Sequence, residues 1–240
     1  MPYMELSEEF TLLIPAYNPS DGWEGPFYTR FVEFCAAIKK KVNVILINDG
    51  SSSDFSSGVN FLKDKIGSDF SFIGYDINRG KGAALKFGAK HAHSSKYMFT
   101  DIDFPYSTES MKNVYQTMQK HTGIVVGYRE SDYYEDLSLL RTLLSKGLRL
   151  LNKIILNLPV NDTQCGLKAF DEEVKDILLD CATDRFLIDL ELLMAVNKKS
   201  LSIIPVSVQL REDIDFTKFN ASVLLKEVFS ILKLIWKYRL

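Results

Sequence analysis

Two acids close the segment Tyr97-Met98-Phe99-Thr100-Asp101-Ile102-Asp103, and their i, i+2 spacing makes them the residues of this chain best placed to do chemistry. The apolar, aromatic run before them reads as a buried strand. The chain is expected to bend after Thr100, where the strand ends, so that both carboxylates reach one ligand. Such a pair is a hard oxygen site for Mg²⁺ or Mn²⁺, usually completed by substrate phosphates. Ligands of open α/β sheets gather at the same carboxyl edge of the strands. Asp-x-Asp is also common in solvated turns, so other segments must decide.

The elements that must position these acids follow from periodicity. Short β-rich runs predict strands over Thr11–Ile14, Val42–Ile47, Phe72–Asp76, Tyr97–Thr100, Ile124–Gly127 and Ser202–Val208. Helical patterns fall over Phe27–Lys40, Gly58–Lys65, Lys81–His93, Thr108–Gln119, Leu137–Leu156, Glu172–Leu179, Arg185–Asn197 and Ala221–Tyr238. Alternation of strand and helix implies crossovers, hence an α/β fold with a mostly parallel central sheet flanked by helices. The first strand runs into Ile14-Pro15-Ala16-Tyr17-Asn18-Pro19 rather than G-x-G-x-x-G, which argues against a dinucleotide oxidoreductase.

Composition bounds the rest. With 240 residues, 46% hydrophobic and 25% charged, the chain can bury a sizeable core as one large domain or two small ones. A net charge of −2 supplies no global basic field for nucleic acid. Cys35, Cys165 and Cys181 are widely spaced and odd in number, which reads as reduced thiols in a cytosolic setting. Residues 1–10 lack a signal-peptide core, and no stretch has the length of apolar sequence a membrane span needs.

Four further segments surround the acid pair: Ile14-Pro15-Ala16-Tyr17-Asn18, Ile47-Asn48-Asp49-Gly50-Ser51-Ser52-Ser53-Asp54, Asn78-Arg79-Gly80-Lys81-Gly82-Ala83-Ala84, and Asp162-Thr163-Gln164-Cys165-Gly166-Leu167-Lys168-Ala169-Phe170. Tyr17 offers a face for a base, whereas Pro15 and Asn18 suit a plain turn. Asp49 can accept a base N–H, or cap the next helix. Glycines around Arg79 and Lys81 allow close backbone approach to a ligand, and a helix start presents N–H groups to an anion. In order and spacing these segments resemble the family 2 glycosyltransferases of the GT-A fold, over about residues 10–215. The Asp-Thr-Gln-Cys-Gly run and Arg185-Phe186-Leu187-Ile188-Asp189-Leu190-Glu191-Leu192 are most similar to the polyprenyl- or dolichyl-phosphate sugar synthases.

The resemblance implies a nucleotide-sugar site of Pro15, Ala16, Tyr17, Asp49, Arg79, Lys81, Asp101 and Arg211. It also implies that Asp103 ligates the metal, with Asp101 on ribose or a metal-bound water, and that Asp162 and Gln164 lie near the reacting centre. Lys218 is a further candidate for the donor phosphates. Gly127-Tyr128-Arg129 resembles the subgroup's Gly-Ser-Arg, so Arg129, Arg141 and Ser145 are expected to hold the phosphate of a lipid acceptor; Tyr128 departs from the small residue usual there. Arg141 and Ser145 are one helical turn apart and share a face. The helix carrying them is apolar with only basic charges, which suits an anionic membrane surface or a core helix with a cationic outer face. Residues 1–220 are then the catalytic domain, and residues 221–240 an amphipathic helix for a core, a partner or a bilayer interface. The expected setting is the cytoplasmic face of a membrane.

The implied reaction is single displacement with inversion at the anomeric carbon. A phosphate monoester acceptor, with a second pKa of about 6, is already a nucleophile at neutral pH. A hydroxyl acceptor would need a base, for which Asp162 and Asp189 are candidates. Transfer to a glycan hydroxyl, a sugar nucleotidyltransferase lacking its usual glycine-rich signature, and an inactive nucleotide-binding relative at a membrane surface are the alternatives. UDP-glucose is the favoured donor.

Overall fold

The structure, a computed structural model, describes residues 10–129, 158–160, 162–213, 234, 237 and 238. Seven strands form one sheet: β1 (Phe10–Ala16), β2 (Asn43–Asp49), β3 (Phe70–Tyr75), β4 (Lys96–Phe99), β5 (Ile124–Arg129), β6 (Lys168–Asp171) and β7 (Ile203–Val208), in the order β3-β2-β1-β4-β6-β5-β7. The described helices are α1 (Glu24–Ile38), α2 (Ser56–Ile66), α3 (Lys81–His91), α4 (Thr108–Lys120), α5 (Glu172–Asp180) and α6 (Ile188–Lys198). The α/β fold and the mostly parallel sheet expected from strand–helix alternation are present. The exception is β6, which runs antiparallel between β4 and β5. It is short and sits inside a segment rich in turn residues, so it carried no periodic signal of its own.

β1 is buried at every position because both faces of the sheet are covered. Leu12, Ile14 and Ala16 face a core with Phe27, Phe31 and Phe34 of α1, Val59 and Leu62 of α2 and Met111 and Val114 of α4. Leu13 faces the other core, built with Ala84 and Leu85 of α3, Val174 and Ile177 of α5 and Leu190 and Leu193 of α6. Truncating such a core leucine to alanine costs roughly 2–5 kcal/mol.

Pro15 sits mid-strand yet breaks no ladder. Leu13 O accepts from Thr100 N, so Leu13, and Pro15 two residues on, point their backbone groups toward β4. Pairing with β4 ends at Leu13↔Phe99, and no donor is required at Pro15. The ends of β1, β2, β3, β4 and β5 therefore open onto one edge, where Tyr17, Asp49, Arg79, Asp101 and Arg129 emerge.

No described helix is long and apolar enough to cross a membrane. The predicted helix over 137–156 lies outside the described residues, as does most of the one over 221–238. Of the latter, Leu234 is buried in the core on the α6 side and Tyr238 packs against it.

Candidate active site

The acid pair sits on a turn directly after β4. Asp101 O accepts from Phe104 N at 3.0 Å, and buried Phe104 takes a left-handed backbone (φ 47) that a bulky residue rarely adopts. This is the bend expected after Thr100, and it leaves both acids on a turn at the sheet edge. Arg211 braces the turn, its Nη1 donating to Asp103 O at 3.0 Å and Phe104 O at 2.9 Å. Its Nε donates to Asp213 Oδ1 at 2.8 Å. Arg211 is itself fixed by its backbone N–H on Pro105 O and by the bridge between Tyr106 and Leu210.

Lys81, the first residue of α3, points its ammonium at Asp101 Oδ1 (3.0 Å) and toward Asp189 Oδ2 (3.8 Å). Asp189 is buried and paired with fully buried Lys168, whose ammonium also donates to the carbonyls of Thr163 and Cys165. Burial opposes the Lys81 charge, but Asp101 and Asp189 outweigh it and hold its pKa well above the usual lysine value. Asp103 is exposed and its carboxyl is pushed up by partial desolvation and by the Asp101 charge.

The other positions named from sequence divide into those that face the edge and those that organise it. Tyr17 is 54% exposed and presents its ring. Pro15 and Ala16 are buried strand residues beneath it. Asn18 stitches loops together: its Oδ1 accepts from Ser52 N at 2.8 Å, and its N–H donates to Ser51 Oγ at 2.8 Å. Asp49 is buried and accepts from Tyr75 Oη (2.7 Å), Asn78 Nδ2 (2.8 Å), Arg79 N (2.9 Å) and Gly80 N (2.9 Å). It thus shapes the Arg79 loop, and protein donors already occupy the carboxylate meant for a base. Arg79 lies exposed with its guanidinium over the Tyr75 ring at 4.6 Å.

The glycines of the Arg-Gly-Lys-Gly turn serve the chain itself. A Cβ at Gly80 would lie 2.6 Å from Asp184 O, and one at Gly82 would lie 2.7 Å from Thr183 O. Asp184 O also accepts from Ala83 N at 3.0 Å, so one amide of the first turn of α3 is already used. This packing of 183–185 on α3 was not foreseen; it also explains why α6 begins at Ile188 rather than at Arg185.

Arg129, at the end of β5, forms a two-pronged pair with buried Asp162: Nε to Oδ2 at 2.7 Å and Nη2 to Oδ1 at 2.9 Å, with Arg129 N on Oδ2 at 3.1 Å. Burial opposes ionisation of Asp162, but Arg129 prevails and keeps its carboxyl below the ordinary value. Gln164 follows with a buried Nε2 that has no partner among the described residues. Gly166 lets the segment approach the acids: a Cβ there would lie 2.7 Å from Asp101 Oδ2. Tyr106, Lys168 and Gly166 were not singled out from sequence, although Lys168 and Gly166 lie inside the fourth segment. Arg141, Ser145 and Lys218 lie outside the described residues.

Residues 11–178 match the family model described as glycosyl transferase family 2. The chain belongs to glycosyl transferase family 2. A dolichyl-phosphate beta-glucosyltransferase of Trichomonas vaginalis is 26% identical over 96% of this chain and 74% of its own length. The Homo sapiens dolichyl-phosphate beta-glucosyltransferase is 29% identical over 86% of this chain and 68% of its own. The chain thus spans about two thirds to three quarters of the length of these curated relatives. Among solved structures, mannosyl-3-phosphoglycerate synthase from Rubrobacter xylanophilus superposes with a TM-score of 0.64 at 12% identity, covering 95% of this chain and 72% of that one. That likeness establishes the GT-A fold alone. As a family 2 member the protein is a glycosyltransferase, and its acid pair, Lys81 and Arg211 converge at the edge where its fold binds ligands.

Proposed function

We propose that this glycosyltransferase is a metal-dependent, inverting enzyme that moves a sugar, glucose from UDP-glucose, onto a polyprenyl or dolichyl phosphate. One observation carries the choice of acceptor. A hydroxyl acceptor needs a general base, and both candidates are engaged: Asp162 is held ionised and weakly basic by Arg129, and Asp189 is buried against Lys168. A phosphate acceptor is a nucleophile without one. The names of the similar curated relatives support the same acceptor class.

The acid pair fits a divalent ion. Two carboxylates share one turn, and the Asp101 charge disfavours ionisation of Asp103, a conflict a cation relieves. Among the described residues no group of three or more His, Cys, Asp or Glu could hold an ion, so its other ligands would come from substrate phosphates and water. When bound, Mg²⁺ or Mn²⁺ at Asp103 and Asp101 supplies charge neutralisation for the departing nucleoside diphosphate.

The chain's own groups do the rest by positioning and charge. Tyr17 stacks on the base, and Asp49 holds the Arg79 loop, accepting the base N–H where a loop donor yields. Lys81 and Arg79 pair with the diphosphate, and Arg211, braced on the turn, adds charge as Asp213 gives way. Arg129, still paired with Asp162, lends its charge to the acceptor phosphate, and Arg141 and Ser145, outside the described residues, are its proposed partners in that role. A lipid acceptor calls for work at a membrane surface, and the cytoplasmic face is the side proposed.

The test is nucleoside-diphosphate release across UDP- and GDP-sugars, with Mn²⁺ or Mg²⁺, with and without a short polyprenyl phosphate. Release that needs both metal and lipid phosphate, greatest with UDP-glucose, is expected. Release with a soluble glycan and none with lipid phosphate would overturn the acceptor assignment.

A further inference from the structure

Two buried acids near the start of α6 bear on the first turn of α3, Asp189 directly and Glu191 through the loop that packs on that turn. Asp189 faces the Lys81 ammonium. Glu191, fully buried, holds backbone instead: it accepts from Ala182 N at 3.0 Å and Thr183 N at 2.7 Å. The loop anchored this way is the one on which Gly80 and Gly82 pack, and its Asp184 accepts from Ala83 N at 3.0 Å and from Lys86 Nζ at 2.6 Å. Glu191 Oε1 also takes two donors from the C-terminal segment, Lys237 Nζ at 2.8 Å and Tyr238 Oη at 3.0 Å. The proposed chemistry makes no use of Glu191, yet a buried carboxylate persists only when its charge and lone pairs are met.

We propose that Glu191 is a positioning residue for the donor-diphosphate turn 79–83, and that Lys237 and Tyr238 complete it, so that their contact with Glu191 sets donor affinity. This rests on the reading of that turn as part of the donor site. Lys237 is the one cation paired with Glu191 among the described residues. Without it the carboxylate must draw in water or shift, releasing the 182–184 backbone. The Lys81 turn follows, because Gly80 and Gly82 meet that backbone with no space to spare. Coupling of this kind is reciprocal: bound donor would tighten the C-terminal contact.

The test uses the full chain as wild type, Lys237→Met and Tyr238→Phe, both conservative in volume and remote from the acid pair. UDP-glucose binding is measured by calorimetry with Mn²⁺, acceptor KM by release assay, and amide hydrogen exchange along the chain. Lys237→Met is expected to speed exchange over 182–184 and 80–84 and to weaken donor binding by about fivefold or more, a typical coupling, with acceptor KM unchanged. Tyr238→Phe, which keeps the cation, should do so more weakly. Faster exchange at 182–184 with donor affinity unchanged would make Glu191 merely structural and overturn the proposal. A wild type that binds UDP-glucose while Lys237→Met leaves exchange over 80–84 unaltered would overturn the coupling alone. A wild type that binds no nucleotide sugar would instead overturn the donor-site reading, and this role with it.

Discussion

Replacing Asp162 with asparagine isolates the buried pair at the end of β5. The side chains of Arg129 and Asp162 are 17% and 6% exposed, and the pair is two-pronged. Asparagine keeps the shape but removes the charge and turns an amide donor toward a guanidinium. Removing one partner from a buried pair costs about 3–5 kcal/mol. At about 2–4 °C per kcal/mol for a chain of this size, Tm should fall by about 6–20 °C. The pH dependence has a definite sign. The Asp162 carboxyl is depressed below 3.8 in the folded protein. Its stabilisation is therefore complete above the unfolded-state value of about 3.9 and fades as pH falls through the lower folded value. Urea unfolding of wild type and variant at neutral pH and in acid measures both effects. The gap should be largest at neutrality and narrow below about pH 4. A double-mutant cycle with Arg129→Met should return a coupling of more than about 1 kcal/mol. A neutral-pH difference under about 1 kcal/mol, or one that stays constant into acid, would refute the account of a buried, ionised pair.

Three other outcomes are expected. Asp103→Ala should abolish sugar transfer while leaving thermal stability near wild type, since Asp103 is exposed; wild-type turnover at saturating Mn²⁺ would remove it from the metal site. Gly166→Ala places a Cβ against Asp101 Oδ2, and a displacement of that size at a reacting centre costs up to about 100-fold in turnover; release assays alongside melting curves should show activity lost well before stability. Arg211→Lys keeps the charge but loses the planar fork that spans two carbonyls and Asp213, so turnover should fall at least about tenfold and charge alone should not rescue it.

The legible parts of this chain were those dictated by local rules. Strands such as β2, a continuous apolar run, and helices with a clear stripe, such as α4 with its Ser107 cap, could be read directly. The bend after Thr100 was expected from the need for both acids to reach one ligand, and the left-handed Phe104 supplies it. What stayed hidden was set by tertiary contact. β6 is a strand only because β4 and β5 both offer it an edge. Gly80 and Gly82 suggested a ligand cradle, but the 183–185 backbone fills that space, and sequence spacing cannot tell a ligand from a loop distant in sequence. Asp49 and Arg211 lie at the edge, yet their hydrogen bonds go first to loops that only the fold brings near. Of the apolar arc at the C-terminus, Leu234 is buried in the core on the α6 side and Tyr238 packs against it, and most of the rest lies outside the described residues.

The reversed direction of β6 has a consequence for where the chain leaves and re-enters the sheet. β5 delivers the chain to the ligand edge at Arg129, and an antiparallel β6 takes it up again from that same edge at Lys168. The two strand ends thus share one side of the sheet, and Asp162, shortly before β6, is fastened to Arg129 at the end of β5. A parallel strand would have forced the chain between them to cross the whole molecule, fixing its minimum length and its path. Here both strand ends, Arg129 and Lys168, lie at the ligand edge.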